Sequence, residues 1–584
     1  MIFTQYYLDC LSHASYLIGD ETTGRAVVVD PQRDVSGYLR DAEEQGLAIE
    51  RVIETHVHAD FLSGHLELAA RTGAAISYGD AADVDFQIEK LPDGERLSLG
   101  EVELEVRATP GHTPESISVV VREHAGDDVP YGVLTGDTLF IGDVGRPDLL
   151  ASAGLGADEL ARGLYRSLRD KLLPLPDATR VFPAHGAGSA CGKNLSTETQ
   201  STIGEQRASN YALAPMSEDE FVALVTEGQP LRPHYFSFDA QRNREAHELL
   251  DEQTPPEPIG LEELFTLQYD GAVVLDTREP MDFAAGHLEG AVNVGLQGRF
   301  AEFAGDVLAP QRSIVLVGDP GRELEAKVRL GRIGFDGVIG YLAEPVHAFL
   351  DCPEAVERSS RLTIEQLAEL RGNLPDLQLV DVRNPGETTR GTLPGAVEMP
   401  LPMLVDTLDG LDPDRPTVVY CASGYRSSIA ASVLAASGFA DTSDVLGGFE
   451  AWRAAGLPVA TGTTQEGPMT TSPPDVPEVG PEEGKALVDG GALLLDVREP
   501  DEWAAGHAPG ASFLPMGQVQ ANQHELPEDR RIVAICRSGG RSAAVAEALN
   551  SRGFDAVNLG GGMRAWQAAG LDVVTDDGAP GTVI

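Results

Sequence analysis

Short apolar runs in the first third of the chain end directly in histidine or aspartate. VVVDP from Val27 and RVIETHVHAD from Arg51 predict buried strands that lead into loops, and similar runs precede TPGHT, LTGDTLF and FPAHG. Because side chains alternate along an extended segment, His56 and His58 project to the same side and can face a common centre. The pattern therefore predicts a group of polar side chains at strand ends: His56, His58, Asp60, His112, Asp137 and His185.

The rest of the chain contains three related repeats. Each begins with a short apolar strand ending in Asp-x-Arg, followed by a polar turn and Gly-Ala; they start at Leu275, Val380 and Leu495. The second and third repeats add a strand, a glycine-bearing loop and an alanine-rich helix, in VVYCASGYRSS from Val418 and IVAICRSGGRS from Ile532. A spacing of about a hundred residues is that of a domain and not of a solenoid unit.

The chain of 584 residues is too long for one hydrophobic core. Two segments rich in Pro and Ser/Thr, QTPPEPIG around Pro255 and TGTTQEGPMTTSPPDVPEVG after Ala460, are typical of linkers. We therefore predict a multidomain α/β protein. Its N-terminal domain spans residues 1–252, and three smaller α/β domains with a parallel sheet span 259–352, 360–462 and 477–576.

The composition restricts the partners and the location. The chain has 92 acidic and 43 basic residues, and its formal net charge of -49 argues against nucleic acid or an anionic membrane as a partner. Its five cysteines are widely scattered, which is typical of free thiols in a reducing compartment. Because the sequence shows neither a signal-peptide pattern nor a membrane-spanning apolar stretch, we expect a cytoplasmic protein.

The order and spacing of the strand-end residues resemble the metallo-β-lactamase fold family, whose pattern is His-x-His-x-Asp-His followed by His, Asp and His. The resemblance covers the N-terminal domain and implies an αββα sandwich. The chain departs from the pattern at Phe61, where the family has another histidine. In dinuclear thioesterases of the glyoxalase II type, the second metal would use the residue at this position together with Asp60, Asp137 and His185. A phenyl ring cannot bind a metal, so Phe61 removes one ligand of that second site.

The branch of this family that works with one metal is the persulfide dioxygenases. Carried over to this sequence, the iron ligands would be His56, His112 and Asp137. Two imidazoles and one carboxylate leave three coordination positions open, enough for a thiolate and O₂, whereas zinc hydrolysis requires a bound water of lowered pKa. We therefore expect one Fe(II) per chain, with zinc as the alternative. The other polar residues would orient ligands, carry protons or contribute to a second metal: His58, Asp60 and His185.

Two further stretches of the N-terminal domain resemble the same branch. IGDVGRPDLLAS carries Arg146 and Asp148, and a guanidinium near the metal would hold a substrate carboxylate through two hydrogen bonds. An Arg–Asp pair that only braces the loop is the alternative. PAHGAGSACGKN is similar to metallo-β-lactamase proteins fused to rhodanese domains, and it places Cys191 six residues after His185. Cys191 is either a packed thiol or a persulfide acceptor.

The repeats carry a second chemistry. The segments from Cys421 to Arg426 and from Cys536 to Arg541 each follow an apolar strand and open a helix, so backbone N–H groups and the helix N-terminus favour the thiolate. The whole repeat resembles rhodanese sulfurtransferases, whose cysteine transfers sulfur. The six-residue spacing matches that family, whereas the related dual-specificity phosphatases have one residue more.

The first repeat lacks this cysteine. At the corresponding place it has Gly318 and Asp319, and Cys352 lies well outside the loop. This repeat cannot form a persulfide there, so we expect it to be structural or to provide a docking surface.

Together the resemblances imply an enzyme of sulfur metabolism. It would oxidise a low-molecular-weight thiol persulfide with O₂ to sulfite at the iron site, and exchange sulfur among persulfide, sulfite and thiosulfate through the rhodanese cysteines. We also expect a homo-oligomer. Two alternatives stay open: a thioester hydrolase with a zinc or dinuclear site, and a sulfur-relay or sensing protein that delivers sulfane sulfur to a protein partner.

Overall fold

The computed structural model describes residues 1–149, 156–193, 195–460 and, in the last domain, 477–583 with gaps at 499, 517–518, 520–525, 528–529, 538, 551, 553 and 576–580. Most of the predicted linker after Ala460 and the predicted domain end at residue 576 therefore lie outside the described residues. The chain divides into two compact units, Met1–Thr463 and Thr464–Ile584.

Two six-stranded mixed sheets form the N-terminal domain. The first sheet keeps the order of the sequence, antiparallel over its first three strands and parallel thereafter: Ile2–Leu8, His13–Asp20, Arg25–Val29, Ala48–Ile53, Ala75–Gly79 and Glu89–Leu91. The second sheet is antiparallel except between its second and third strands, in the spatial order Ser201–Thr202, Arg180–Pro183, Gly132–Gly136, Ile117–Arg122, Glu103–Ala108 and Arg96–Ser98. The strands predicted around Val27 and Arg51 are both present.

The two sheets share one apolar core and are covered by helices outside, which confirms the predicted αββα sandwich. Tyr16 and Ile53 of the first sheet pack in the same cluster as Val119 and Phe182 of the second. The helices of this domain are Ser36–Glu44, His65–Thr72, Ala157–Arg166 with a π-helical continuation Ser167–Leu172, Ile203–Ser209, the 3-10 turn Tyr211–Leu213, Glu218–Thr226 and Tyr235–Arg242.

Each repeat contains a parallel sheet, as predicted, and the sheet has five strands in the same spatial order in all three repeats. In spatial order, the strands of the first repeat are Pro258–Ile259, Val338–Leu342, Ile314–Val317, Val273–Asp276 and Val292–Asn293. Those of the second are Ser360–Leu362, Thr442–Val445, Thr417–Tyr420, Gln378–Asp381 and Val397–Glu398. Those of the third are Glu478–Val479, Ala556–Leu559, Ile532–Ile535, Leu493–Asp496 and Ser512–Phe513. The first repeat adds a small antiparallel pair, His287–Leu288 with Val356–Glu357.

Helices cover the sheet in every repeat. In the first repeat they are Leu261–Tyr269, Pro280–Ala285, Phe300–Val307, Glu323–Gly331, Pro345–Asp351 and the 3-10 turn Pro353–Ala355. In the second they are Ile364–Asn373, Pro385–Thr388, Tyr425–Ala436, Gly448–Ala454 and the 3-10 turns Leu401–Met403 and Leu408–Gly410. The described helices of the third are Pro481–Asp489, Pro500–Ala505, Gly540–Asn550 and Gly562–Ala568. No helix within the described ranges is both long and apolar enough to cross a membrane.

A buried guanidinium joins the N-terminal domain to the first repeat. Arg33 donates hydrogen bonds to Glu67 Oε1 (3.0 Å) in its own domain, and to Asp336 Oδ1 (2.5 Å) and the Gly331 carbonyl (2.9 Å) in the repeat. With every partner in place, the buried charge is compensated at the interface. The two domains therefore meet through a specific polar contact.

The first repeat also contacts the cysteine loop of the second. The Tyr425 hydroxyl, next to Arg426 in that loop, donates to the Gly295 carbonyl at 2.7 Å. Two helix turns further, Ser432 Oγ accepts from the Asn293 N–H at 2.9 Å. The N-terminal domain and the first two repeats therefore form a continuous body within the first compact unit.

Candidate metal centre and cysteine loops

Three buried side chains converge at the edge of the sandwich where strands of both sheets of the N-terminal domain end. His56, His112 and Asp137 follow the strands Ala48–Ile53, Glu103–Ala108 and Gly132–Gly136. Asp137 Oδ2 lies 3.8 Å from His56 Nε2 and 3.5 Å from His112 Nε2. One ligand atom from each residue lies within 4.8 Å of the others, so the three predicted ligands can hold one ion.

Hydrogen bonds on the far side of each ring fix the ligand orientation. The Nδ1 atom of His56 contacts Thr55 Oγ1 at 3.0 Å, and Nδ1 of His112 contacts the Arg146 carbonyl at 2.9 Å. Among the described residues, Asp137 Oδ2 has no hydrogen-bond partner although it is buried. Burial, together with neighbouring His58, holds the pKa of His56 well below its usual value, so this imidazole keeps its lone pair. A set of two imidazoles and one carboxylate fits Fe(II) with open positions.

His58 faces a buried carboxylate pair and not the group of three. Its Nε2 lies 3.0 Å from Asp30 Oδ1 and 3.3 Å from Glu54 Oε2. Burial alone would lower the pKa of His58, but these two carboxylates raise it well above its usual value. Asp30 also accepts from Thr55 N at 2.7 Å and from Thr55 Oγ1 at 2.9 Å, which ties it to the loop that carries His56. Sequence reasoning missed Asp30; the signal available was its place at the end of the VVVDP run.

Phe61 fills the position where the family pattern has a histidine. Its ring is buried and packs against the rings of His13 (centroids 4.0 Å apart) and His58 (4.4 Å). His13 is a second residue that the sequence did not indicate; it forms an isolated β-bridge with His185. Burial, together with His185, holds the pKa of His13 well below its usual value. Phe61 therefore closes this side of the centre with apolar surface.

A second group of potential ligands lies beside the first. Asp60, His185 and Cys191 bring one ligand atom each within 4.8 Å of one another. His185 Nε2 lies 2.6 Å from Asp60 Oδ2, and its Nδ1 lies 2.7 Å from Asp137 Oδ1, so His185 links the two groups. Burial and Asp60 raise the pKa of the Cys191 thiol well above its usual range. Without a bound metal, Cys191 is a buried, protonated thiol next to the centre.

The loop with Arg146 and Asp148 is internally braced. Arg146 donates to both carboxylate oxygens of Asp148, at 2.8 and 2.7 Å, and to the carbonyls of Ala190 (3.2 Å) and Pro230 (2.7 Å). Its backbone N–H donates to the Cys191 carbonyl at 3.0 Å. This pattern favours the alternative of a loop brace, and the role of the pair in substrate binding stays a prediction.

The cysteine loops of the second and third repeats have the same local geometry. Gly424 N–H points to Cys421 Sγ and Gly539 N–H to Cys536 Sγ, each at 3.1 Å, and both sulfur atoms belong to buried residues. The Ser542 hydroxyl also donates to Cys536 Sγ at 3.3 Å, whereas Cys421 Sγ donates to Ser427 Oγ at 3.6 Å. Donors directed at sulfur stabilise a thiolate.

The arginine that ends each loop is held by a glutamate. Arg426 donates to both oxygens of Glu387 at 2.7 Å, and Arg541 donates to both oxygens of Glu502 at 2.7 Å. Sequence reasoning missed the two glutamates, which lie in the short helix after the Asp-x-Arg motif. Their equivalent placement in two repeats was the available signal.

The loop of the first repeat cannot accommodate a cysteine without a shift. A Cβ atom built on Gly318 would lie 2.5 Å from Thr277 Oγ1. Thr277 stands where the other repeats have Val382 and Val497 in their Asp-x-Arg motifs. In the first repeat, the loss of the cysteine is therefore accompanied by the replacement of a neighbouring valine by Thr277.

The fold and the two kinds of site define a metallo-β-lactamase domain fused to rhodanese domains. The metallo-beta-lactamase superfamily description matches residues 8–185, and the rhodanese-like domain description matches residues 261–350, 363–455 and 480–569. The chain belongs to the metallo-β-lactamase superfamily, as a homologue of the persulfide dioxygenases that carries three rhodanese-like domains.

Similar proteins of known description cover part of the chain. The chain is 31% identical over 248 residues to "Persulfide dioxygenase ETHE1, mitochondrial" of Bos taurus, a match covering 41% of this chain and 85% of the relative. It is 31% identical over 235 residues to the Homo sapiens protein of the same description, covering 39% and 82%. A solved metallo-beta-lactamase from Staphylococcus aureus subsp. aureus COL is 34% identical with a TM-score of 0.53, covering 58% of this chain and 98% of that chain.

Proposed function

We propose that the chain oxidises a low-molecular-weight thiol persulfide with O₂ at one Fe(II), and transfers sulfane sulfur through Cys421 and Cys536. His56, His112 and Asp137 would hold the iron, which supplies open coordination positions for a thiolate and O₂. The observation that carries this proposal is the buried group of two imidazoles and one carboxylate in a domain where Phe61 takes the place of a further histidine ligand. The similarity to persulfide dioxygenases supports the same substrate class.

The overall reaction balances without another reductant. A persulfide RSSH reacts with O₂ and H₂O to give RSH and H₂SO₃, which is deprotonated to sulfite; the outer sulfur is oxidised by four electrons and O₂ is reduced by four. In this reaction Thr55 and the Arg146 carbonyl orient the two imidazoles through their Nδ1 atoms. His185 orients Asp137 from the other side, and the Phe61 ring excludes water from that wall.

The rhodanese loops would handle the sulfane sulfur. Sulfite and a second RSSH give thiosulfate and RSH, with the sulfur atom carried as a persulfide on Cys421 or Cys536. The N–H groups of Gly424 and Gly539 stabilise the cysteine thiolate that leaves when the sulfur departs. Domains on one chain keep the shuttled carrier at a high local concentration.

The test is metal analysis of anaerobically purified protein followed by O₂ uptake with glutathione persulfide. We expect one iron per chain and persulfide-dependent O₂ uptake, and His56→Ala should lose both. Absence of persulfide-dependent O₂ uptake in the iron-loaded wild type would refute the dioxygenase proposal.

A thioester hydrolase is the second candidate, favoured by the group Asp60, His185 and Cys191. A second metal on these residues would restore a two-metal centre in spite of Phe61. Two metal ions per chain with cleavage of a thioester such as S-lactoylglutathione would support the hydrolase. One ion without thioester cleavage would exclude it.

We further propose a reducing, cytoplasmic location and a homo-oligomeric assembly. All five cysteines are free thiols, which a reducing compartment maintains. Sedimentation of the full chain tests the assembly, and a monomer at micromolar concentration would contradict it.

A further inference from the structure

A cavity of about 480 Å³ lies within the first compact unit, at the meeting point of three domains. The N-terminal domain contributes the loop 188–193 and the segment 230–233, and the first repeat contributes the helix Phe300–Val307 with the preceding Arg299. The second repeat contributes Arg426 and Glu387, the pair at the end of its cysteine loop. The volume is that of a small-molecule site.

The cavity lies next to the cysteine loop of the second repeat and next to the segment that carries Cys191 beside the candidate metal centre. Arg426 is the last residue of the loop that begins at Cys421. On the opposite wall, Ala190 and Gly192 line the cavity on either side of Cys191, whose own side chain belongs to the group with Asp60. A thiol bound here would be close to the sulfur-transfer loop of the second repeat.

The two arginines in the cavity are already paired with carboxylates, whereas the third cationic side chain, Lys193, donates to the backbone carbonyls of Leu224 (2.7 Å) and Glu227. Arg299 binds the Glu302 carboxylate and donates to the Gly188 carbonyl at 2.6 Å, and Arg426 binds Glu387 through two hydrogen bonds of 2.7 Å. Their charges are therefore largely compensated inside the protein. A ligand whose only ionic groups are phosphates would find no unpaired guanidinium among these residues.

One carboxyl group in the cavity is not paired. Asp306 is only 4% exposed, and no described residue hydrogen-bonds to its Oδ1. Burial and Glu302, one helix turn earlier, raise the pKa of Asp306 well above its usual value. A buried polar atom without a partner is costly, and a donor on a ligand removes that cost.

We propose that the cysteine-less first repeat supplies the acceptor-binding wall for the cysteine of the second repeat. The cavity binds a thiol that carries a protonated amine, such as an amino-acid or short-peptide thiol, and Asp306 receives its ammonium group. Tyr425 fixes the cysteine loop to the first repeat through its hydrogen bond to the Gly295 carbonyl, and its ring lies 5.6 Å from that of Phe303 in the cavity wall. This inference rests on the proposed sulfur transfer through Cys421 and is independent of the oxidation at the metal.

The transfer step moves one sulfur atom without net oxidation. The acceptor thiolate attacks the outer sulfur of the Cys421 persulfide, a new S–S bond forms on the acceptor, and the old S–S bond breaks. Cys421 leaves as a thiolate, and the acceptor becomes a persulfide, RSSH, whose outer sulfur keeps the proton that it carried on Cys421. Charge and electrons balance between the two sulfur pairs.

The test compares glutathione with N-acetylglutathione as acceptors of sulfur from thiosulfate. The two differ in the ammonium group, which is remote from the thiol. In a full chain with Cys536→Ser, only Cys421 carries sulfur, and we expect a lower KM for glutathione. Asp306→Asn should reduce this preference, measured as the KM ratio, about tenfold, which corresponds to about 1.4 kcal/mol. Asp306→Glu keeps a carboxyl group at this position and should retain most of the preference.

Two controls separate the cavity from general effects. Asp282→Asn removes an exposed charge from the same repeat and should leave the ratio unchanged. In a chain with Cys421→Ser, where Cys536 alone transfers sulfur, Asp306→Asn should not change the ratio either. Three results would overturn the inference. Asp306→Asn could leave the KM ratio unchanged in the Cys536→Ser chain, or change it equally in the Cys421→Ser chain. The third result is that Cys421 transfers no sulfur. O₂ uptake is measured separately, so a failure of the dioxygenase proposal would be distinguishable.

Discussion

Replacing Asp30 by asparagine tests whether a buried carboxylate positions the loop of metal ligands. Asp30 is 1% exposed and accepts three hydrogen bonds: from Thr55 N (2.7 Å), Thr55 Oγ1 (2.9 Å) and His58 Nε2 (3.0 Å). Thr55 in turn contacts Nδ1 of His56. An asparagine has the same size, but it lacks the charge and has one acceptor oxygen fewer. At least one of the three contacts is therefore lost.

The expected effect on iron is a 10- to 100-fold loss of affinity. Groups that orient metal ligands from outside typically contribute about this much, and the range corresponds to about 1.4–2.7 kcal/mol. The same substitution should also lower the free energy of unfolding by about 1–3 kcal/mol, because it leaves a buried donor without an acceptor. Iron affinity and stability must therefore be measured side by side.

A matched control is Asp20→Asn. Asp20 is also 1% exposed and accepts backbone hydrogen bonds from Thr22 (2.8 Å), Thr23 (3.1 Å) and Val102 (3.0 Å), in a turn that carries no predicted ligand. We expect Asp20→Asn to lose stability but to keep iron affinity within about twofold. The assay is anaerobic titration of Fe(II) against a chromophoric chelator. Wild-type affinity in Asp30→Asn, or equal losses in both variants, would refute the positioning role.

Three further predictions concern other parts of the chain. Phe61→His should add a metal ligand beside Asp60. Metal analysis should then find two zinc ions per chain instead of one, and persulfide-dependent O₂ uptake should fall. An unchanged number of metal ions per chain would count against the mononuclear interpretation. Combined Cys421→Ser and Cys536→Ser should abolish thiosulfate formation from persulfide and sulfite, and a wild-type rate would disprove sulfur transfer through these residues. Asp239 is buried without a partner for either oxygen among the described residues, and burial raises its pKa well above the usual value. Because the folded state then keeps a proton that the unfolded state loses, the free energy of unfolding falls as pH rises above about 4, by up to about 1.4 kcal/mol per pH unit. The melting temperature of Asp239→Asn should therefore exceed that of the wild type most at pH 8 and least near pH 5. Parallel pH profiles of the two melting temperatures would contradict this.

The convergence of His56, His112 and Asp137 could be predicted because it depends on local rules. Each residue follows an apolar run, and such runs become neighbouring strands whose ends meet at one edge of a sandwich. The same reasoning explains why the cysteine loops of the repeats were found from sequence. Their glycines, helix starts and strand ends are all encoded within a dozen residues. The assignment of roles to these residues stays a prediction.

The surroundings of the centre could not be predicted, because they depend on contacts between distant segments. His13 belongs to a strand of mostly apolar residues, and only its bridge to residue 185 brings it next to Phe61. Asp30 gains its role from a hydrogen bond to His58 across the end of the sheet. The loop brace between Arg146 and Pro230 joins residues 84 apart, a separation at which no sequence pattern is informative.

The first repeat lacks the loop cysteine but contributes to the surroundings of the cysteine loop in the second repeat. Its own loop has Gly318 in place of the cysteine, and a side chain there would require Thr277 to shift. Its helix Phe300–Val307 nevertheless lines the cavity beside the loop of the second repeat. At the position of Tyr425, the third repeat has Gly540, which offers no hydroxyl to bind a neighbouring domain. Cys421 and Cys536 therefore have similar thiolate-stabilising loops, but they differ in the protein surface that can face the sulfur atom. Because their loops are alike but the surfaces facing them differ, Cys421 and Cys536 should differ in their choice of acceptor thiol more than in their reactivity toward thiosulfate.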